Sequence, residues 1–397
     1  MIKSLTPDPW PLAPAPKILI VAGEASGDAH AARLAAAIRA REPRVEFLGI
    51  GGDALGAQGV RILCPASELA VVGLSEVARH LPAVLRALRD IARVLKQERP
   101  ALVILVDFPD FNFWVARLAH RRGVPVMYYI SPQVWAWRTY RVRTIARLVD
   151  RMVVIFPFEA EFYRQRGVAA DYVGHPFLET LPPRVDRRAW LVAQGLDPKR
   201  LTVALLPGSR ASEIRVHLPL MLEAARILKQ AVPQCQFVLP LASTIPEELV
   251  RLEVVGGGFK PALTIIPGQS YEALAAAQVA LVASGTATLE AALAATPTII
   301  VYQVSPISFA AARLLVRVPH IGMANLLAGE GLFPELIQDD CTPERLAGEV
   351  LSLIRDPDRM ARLRLGLARV VEALGGPGAS RRAAAIALEL MTAGKVS

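Results

Sequence analysis

The chain has 397 residues, 53% of them hydrophobic and 20% charged, with a formal charge of +9. That length suits two domains, and that balance excludes a disordered or fibrous protein. The excess of 45 Lys and Arg over 36 Asp and Glu fits an anionic partner, whether nucleic acid, phospholipid headgroup or phosphorylated metabolite, or a simple need for solubility.

Residues 1–16, with five prolines, read as a loose tail and carry no secretory signal. "KILIVA" (17–22) is a buried strand. The turn "GEASGDAH" (23–30) closes it with Gly23, Ser26 and Gly27 beside Glu24 and Asp28, and a helix with Leu34 and Ile38 on one face follows. Further strands are expected at 45–50, 101–106, 124–130 and 152–156, separated by helical stretches long enough for parallel crossovers. Strands apolar on both faces need helices on both sides. A proline- and charge-rich break covers 178–200. The alternation then restarts, with strands at 201–206, 235–241, 263–267, 279–283 and 298–302. The fold class is α/β, as two successive doubly wound domains over 17–195 and 200–370. A helical segment over 371–397 can pack on either.

Residues 74–95 are strongly amphipathic. Leu74, Val77, Ala78, Leu81, Val84, Leu85, Leu88, Ile91, Ala92 and Leu95 share one face, and Arg79, Arg86, Arg89 and Arg93 fall outside it. Such a helix either packs on the sheet or lies on an anionic membrane, and Pro82 is expected to kink or divide it. No apolar run of ~18 residues is free of charge, which argues against a spanning helix.

Four stretches carry chemistry. "LPGSRASEI" (206–214) ends a strand in a small-residue turn before a helix, where Gly208, Ser209 and Arg210 can seat a phosphate on free N–H groups and a planar cation oriented by Glu213. A plain turn with a surface arginine is the alternative. "ASGTATLEAALAATP" (283–297) offers Ser284, Gly285 and Thr286 at a helix start, and Glu290 can accept hydrogen bonds from a sugar's paired hydroxyls or be a solvated surface residue. "DFPDFNFW" (107–114) puts Asp107 directly after a buried strand, a fitting general base. Asp110 reads as a helix cap, and Asn112 as either a cap or a partner for a substrate hydroxyl. "YYISPQVWAWRTYRVRTI" (128–145) interleaves Trp135 and Trp137 with Arg138, Arg141 and Arg143, suiting sugar rings or acyl chains with phosphates, stacked nucleic acid, or an ordinary core.

His175 follows a short apolar segment in "VGHPF" (173–177). The six histidines lack zinc-ligand spacing. Cys64, Cys235 and Cys341 are too far apart for a metal cluster or disulfide framework, and they suit a reducing compartment. There is no P-loop, G-x-G-x-x-G or G-x-S-x-G pattern. No metal or cofactor is expected, and neither an ATPase, a dinucleotide oxidoreductase nor a serine hydrolase is supported.

In this order, "VAGEASGD" (21–28), "DFPDFN" (107–112), "YYISPQVWAWR" (128–138), "GHPF" (174–177), "LLPGSRASEI" (205–214), "ASGTATLE" (283–290) and "NLLAG" (325–329) resemble the lipid-A-disaccharide synthase family, from about Lys17 to about Glu344. The resemblance implies a GT-B fold, two Rossmann-like domains facing across a cleft. The first would take the acceptor and face the membrane, the second would bind the UDP donor, and the last helix would return to the first domain. It implies inverting transfer of 2,3-diacylglucosamine from UDP-2,3-diacylglucosamine to 2,3-diacylglucosamine 1-phosphate, at the cytoplasmic face of the inner membrane, by an intertwined homodimer. Asp107 and Arg210 take the positions of the family's essential aspartate and arginine. Membrane contact falls to the 74–95 region through Leu81, Leu85 and Leu88.

On that reading Asp107 or His175 deprotonates the acceptor's 6-hydroxyl, and Arg210 with the turns at 208 and 284 meets the charge on departing UDP. Glu290 would hold the ribose. Glu24, Ser26, Asn112, Ser131, Trp135, Arg138, His175 and Asn325 would line the substrate pocket. Ala324 stands where the family generally has proline, which weakens the case for Asn325. A glycosyltransferase or epimerase acting on a soluble UDP-sugar is the alternative, and a nucleic-acid-binding protein is not expected.

Overall fold

The computed structural model describes residues 15–69, 77–181, 184–256, 263–306, 309–310, 313 and 318–393, without the side chains of 25 and 77–80. The expected tail up to residue 14, Leu74, and the side chains of Val77, Ala78 and Arg79 therefore lie outside the described residues.

The chain divides into two compact units, one running to Glu179 and resuming at Gly376, the other spanning Thr180–Gly375. In the first, seven strands are all parallel: β1 (Lys17–Ala22), β2 (Glu46–Gly51), β3 (Arg61–Pro65), β4 (Leu102–Val106), β5 (Val126–Tyr129), β6 (Arg151–Val154) and β7 (Ala170–Tyr172). Their order is β3-β2-β1-β4-β5-β6-β7. All five side chains of β4 are buried, as a central strand covered on both faces requires.

Helices α1 (Ala25–Arg39), α2 (Asp53–Ala57), α3 (Val77–Gln97), α4 (Pro109–His120), α5 (Val134–Trp137), α6 (Val142–Leu148) and α7 (Pro157–Arg164) complete the crossovers. The last helix of the chain, Ala379–Ala393, packs on α1 in this unit. The last helix buries Ala379, Ala383, Ala384 and Ala387, and α1 buries Ala31, Ala32 and Ala35. Glu179 accepts the Ser380 N–H at 2.8 Å and hydroxyl at 2.6 Å, capping that helix.

Helix α3 runs unbroken through Pro82. Of the expected stripe, Ile91 and Leu95 are buried and Val84 and Leu88 pack against the same core, joined there by Ala87 and Val94 from outside the stripe, while Leu81 is 53% and Leu85 43% exposed. Leu88 is partly buried and packs on the core, so of the three expected surface contacts it is the least open to solvent.

The second unit holds β8 (Thr202–Leu206), β9 (Gln236–Leu241), β10 (Leu263–Pro267), β11 (Val279–Ala283), β12 (Thr298–Tyr302) and β13 (Glu335–Ile337), in the order β10-β9-β8-β11-β12-β13, again all parallel. It begins earlier than the expected 200, because α8 (Arg187–Ala193) buries Leu191 in its core. Helices α9 (Ala211–Ala231), α10 (Glu247–Gly256), α11 (Ser270–Ala276) and α12 (Ala287–Leu293) follow. Strands β3, β7 and β13 escaped the sequence pattern. Each is a half-covered edge strand without a continuous apolar run.

Candidate functional site

In both sheets the order in which strands are added reverses beside the first strand. In the first, β1 lies between β2 and β4; in the second, β8 lies between β9 and β11. A crevice opens at the C-terminal ends of strands where such a reversal occurs, and ligands of open α/β sheets bind there. Register pairs Ala22 with Val106, setting the turn of Glu24 and Ser26 next to Asp107. Val282 pairs with Leu206, setting Ser284–Thr286 next to Gly208–Arg210. Each pair of motif loops, far apart in sequence, is adjacent for this reason.

In the first unit, Asp107 and Phe108 take left-handed φ values of 44° and 47°, which costs a non-glycine residue roughly 1–3 kcal/mol each. The Asp107 carboxyl is pushed up to about 6, chiefly by burial and then by the negative charge of Glu24. Glu24 and Ser26 are exposed. Asp28, by contrast, is buried and accepts the N–H groups of Gly52 at 2.7 Å and Ala54 at 2.9 Å, holding the start of α2.

Three expected pocket or capping residues have other work. Asn112 is wholly buried, and its Nδ2 donates to the carbonyls of Asp107 at 2.6 Å and Val106 at 3.3 Å, so it grips main chain and not a substrate hydroxyl. Asp110 caps nothing; its exposed carboxylate pairs with Arg141 at 2.6 Å and Arg138 at 3.4 Å. Ser131 is buried, bonded to the Tyr163 hydroxyl at 2.7 Å and the Pro132 carbonyl at 2.8 Å.

The aromatic stretch does gather at the same sheet edge. Arg138 lies over the Trp137 ring at 3.8 Å. Trp135 packs edge-on to Phe158, which stacks on Phe156, which in turn meets His175 at 5.2 Å. Trp135 Nε1 donates to Glu159 at 3.0 Å. Burial pushes the Glu159 carboxyl up to about 8, against the pull of Trp135 and the main chain. His175 is buried, its Nδ1 accepts the Phe177 N–H at 3.2 Å, and burial drops its pKa to about 4. Tyr128 and Glu159 were missed in the sequence because both sit in ordinary amphipathic or strand patterns; nothing in their spacing sets them apart.

In the second unit, the turn before α9 is organised by Glu213. Its carboxylate accepts the Ser209 N–H at 2.8 Å and the Arg210 N–H at 3.3 Å, and pairs with the Arg210 guanidinium at 3.1 Å. The Ser209 and Arg210 amides of the expected phosphate seat are thus occupied internally, while the Arg210 side chain stays 73% exposed. Thr244 Oγ1 donates to the Ser209 carbonyl at 2.6 Å, and His217 bridges Pro207 and Gln303 through both ring nitrogens.

At β11, Gly285 and Thr286 are exposed, and the Ser284 hydroxyl donates to the Ile321 carbonyl at 3.0 Å. Glu290 is half-buried, accepts the Ser270 hydroxyl at 2.5 Å, and has its pKa raised by burial. Asn325, expected in the pocket, is wholly buried: Nδ2 donates to Phe333 O at 2.9 Å and Glu335 at 2.8 Å, and Oδ1 accepts the Phe333 N–H at 2.7 Å. Every polar atom of that side chain is spent inside the protein. Glu335, unremarked in the sequence, also accepts the Ile321 and Gly322 N–H groups, tying this clamp to the loop that Ser284 touches. Among the described residues, no group of three or more His, Cys, Asp or Glu is placed to hold a metal ion.

A sequence profile of the family described as lipid-A-disaccharide synthetase matches residues 18–390. The chain is 48% identical to the lipid-A-disaccharide synthase of Syntrophus aciditrophicus (strain SB) over 374 residues, 94% of this chain and 97% of that one. It is 47% identical to that of Myxococcus xanthus (strain DK1622) over 381 residues, 96% and 99% of the two chains. Among solved structures it is similar to the glycotransferase of kitacinnamycin, with a TM-score of 0.62, 16% identity, and coverage of 95% and 99%. At that identity the likeness concerns the fold, which is GT-B.

Proposed function

We propose how a chain that belongs, as this one does, to the lipid-A-disaccharide synthase family carries out its reaction with the loop clusters described above. The reaction is transfer of 2,3-diacylglucosamine from UDP-2,3-diacylglucosamine to 2,3-diacylglucosamine 1-phosphate, with inversion, giving the β-1,6-linked disaccharide 1-phosphate and UDP. An enzyme for a soluble UDP-sugar is not favoured, since its support is likeness of fold alone.

One observation carries the division of roles: Asp107 and Arg210 each stand at the switch point of their own sheet. The acceptor's 6-hydroxyl attacks the anomeric carbon as Asp107 takes its proton, and the bond from that carbon to the UDP oxygen breaks. A single displacement inverts the centre and needs no protein nucleophile. Asp107 is the better base than His175. A pKa near 6 leaves it ionised at neutral pH yet more basic than an imidazole near 4, and His175 Nδ1 is committed to Phe177. The leaving diphosphate gains charge, which the exposed guanidinium of Arg210 meets. Ser209 offers a hydroxyl, Gly285 and Thr286 a second exposed turn, and Glu290 an acceptor for the ribose hydroxyls.

Glu24, Ser26, Trp135, Arg138 and His175 serve the acceptor side; Asn112, Ser131 and Asn325 support from within. No helix among the described residues is long and apolar enough to cross a membrane. Substrates with acyl chains bring the enzyme to the cytoplasmic face of the inner membrane. There Leu81 and Leu85, beside exposed Arg86 and Arg89 around a shallow groove of about 340 Å³, meet an anionic surface. Homodimer assembly is carried over from the family resemblance. Purified protein incubated with both diacylglucosamine substrates should release UDP and yield the disaccharide 1-phosphate by mass; turnover of UDP-N-acetylglucosamine instead would refute the assignment.

A further inference from the structure

We propose that Tyr128 and Asn112 are positioning residues that aim the Asp107 carboxylate by clamping the main-chain carbonyl of the same residue. The inference rests on the reading of Asp107 as general base and adds what holds that base in place.

Two donors converge on one oxygen. The Tyr128 hydroxyl donates to Asp107 O at 2.7 Å and Asn112 Nδ2 donates to it at 2.6 Å. Both side chains are wholly buried, so neither touches a substrate. They come from different elements: Tyr128 from β5, paired to β4 through Leu105, and Asn112 from the first turns of α4. Their positions are therefore fixed independently of the turn they hold.

The turn needs such a hold. Asp107 and Phe108 are successive non-glycine residues in the left-handed region, a conformation the chain does not keep unaided. Fixing the Asp107 carbonyl inward sets the peptide plane between the two residues. With β4 fixing the other side of the α-carbon, the direction of the Asp107 side chain follows. Phe108 is secured as well: its ring lies where a Cβ on Gly23 would be, and it packs on Phe111 at 5.5 Å. The same turn thus joins β4 to the Gly23–Glu24 loop.

Acting through geometry, the clamp affects the rate of proton removal more than substrate binding, because misplacing a base by a fraction of an ångström is costly while the binding groups stay put. Tyr128→Phe removes only the hydroxyl, and Asn112→Leu removes the amide at similar volume. Each is expected to lower kcat ~10-fold or more with KM within about twofold of wild type. Tyr128→Phe added to Asp107→Asn should slow that variant no further, since the clamp works only through the carboxylate. Circular dichroism establishes that each variant is folded. If Asp107→Asn is slow but both clamp variants keep wild-type kcat, the clamp is overturned and the base stands. An equal slowing of the Asp107→Asn background by Tyr128→Phe also overturns it, as a general structural effect. Near-normal turnover by Asp107→Asn overturns the base assignment and the clamp with it.

Discussion

The carboxylate of Glu213 grips Arg210 twice, at its guanidinium at 3.1 Å and at its main-chain N–H at 3.3 Å. An ion pair with so exposed a partner adds ~0–1 kcal/mol to stability, so its consequence is orientation: the cation is held at the end of β8. Arg210→Ala is expected to slow UDP release by ~10²-fold or more, the scale for losing a charge-stabilising donor, with the melting temperature unchanged. Turnover within a few-fold of wild type would remove Arg210 from the donor site.

The same grip depends on Gly208. With φ at 131° and its Cα facing Glu213, a Cβ there would overlap both the carboxylate and the Cβ of that residue. Gly208→Ala should push Glu213 off the turn, freeing the Ser209 amide and misdirecting Arg210. Calorimetry with UDP is expected to show at least a tenfold weaker Kd, a loss of about 1.4 kcal/mol. An unaltered Kd would mean that the turn's conformation is irrelevant to the nucleotide.

Much of this was readable in the chain because buried parallel strands write themselves as apolar runs, and all ten expected strands are present to within a residue or two. Motif loops at their ends followed directly. What could not be read was the use to which polar atoms are put. Asn112, Ser131 and Asn325 look like ligand contacts in a motif, yet all three are buried with their donors turned toward the protein's own backbone or side chains. Spacing along the sequence locates a residue on an element but not the distant partner that satisfies it. Leu88 and Leu81 share one helical stripe for the same reason, although only one of them meets the core.

Activity should depend on the ionised Asp107 and so fall as pH is lowered through about 6. Burial is the main cause of that raised value and the charge of Glu24 the next. Glu24→Gln removes the second cause only, favouring the carboxylate and moving the acid limb of the kcat/KM profile to lower pH without restoring an ordinary aspartate value. The midpoint, not the height, is the readout, since Glu24 is also assigned to the acceptor side. A limb that stays put, or moves upward, would separate the two carboxylates.

Membrane contact and folding make different demands on helix α3. Leu81→Glu and Leu85→Glu place charge on exposed positions and should abolish flotation with anionic vesicles while leaving the melting temperature near wild type. Leu88→Glu puts a carboxylate against the core cluster and should lower the melting temperature outright. Retained flotation in both exposed variants would take this helix out of the membrane contact.

Glu159 gives the first unit a pH dependence of its own. The carboxyl titrates at about 8 in the folded protein because burial disfavours its charge, against an ordinary value of 4.5. A folded value above the unfolded one means that the contribution to stability is fully present below the unfolded value. It shrinks as pH rises between the two, and is lost once pH passes through about 8. Above that, folding has to hold a buried charge whose partners include Trp135 Nε1 and the main chain at Phe156 and Ile155. Glu159→Gln is neutral throughout. Whatever it costs at the Phe156 contact is nearly constant with pH, and other titrating groups act alike in both proteins. The fall in melting temperature between pH 5 and pH 9 should therefore be smaller in the variant than in the wild type. Parallel curves would show that this carboxyl is not held neutral beside the indole, and that Trp135 owes its place to the aromatic contact with Phe158 instead.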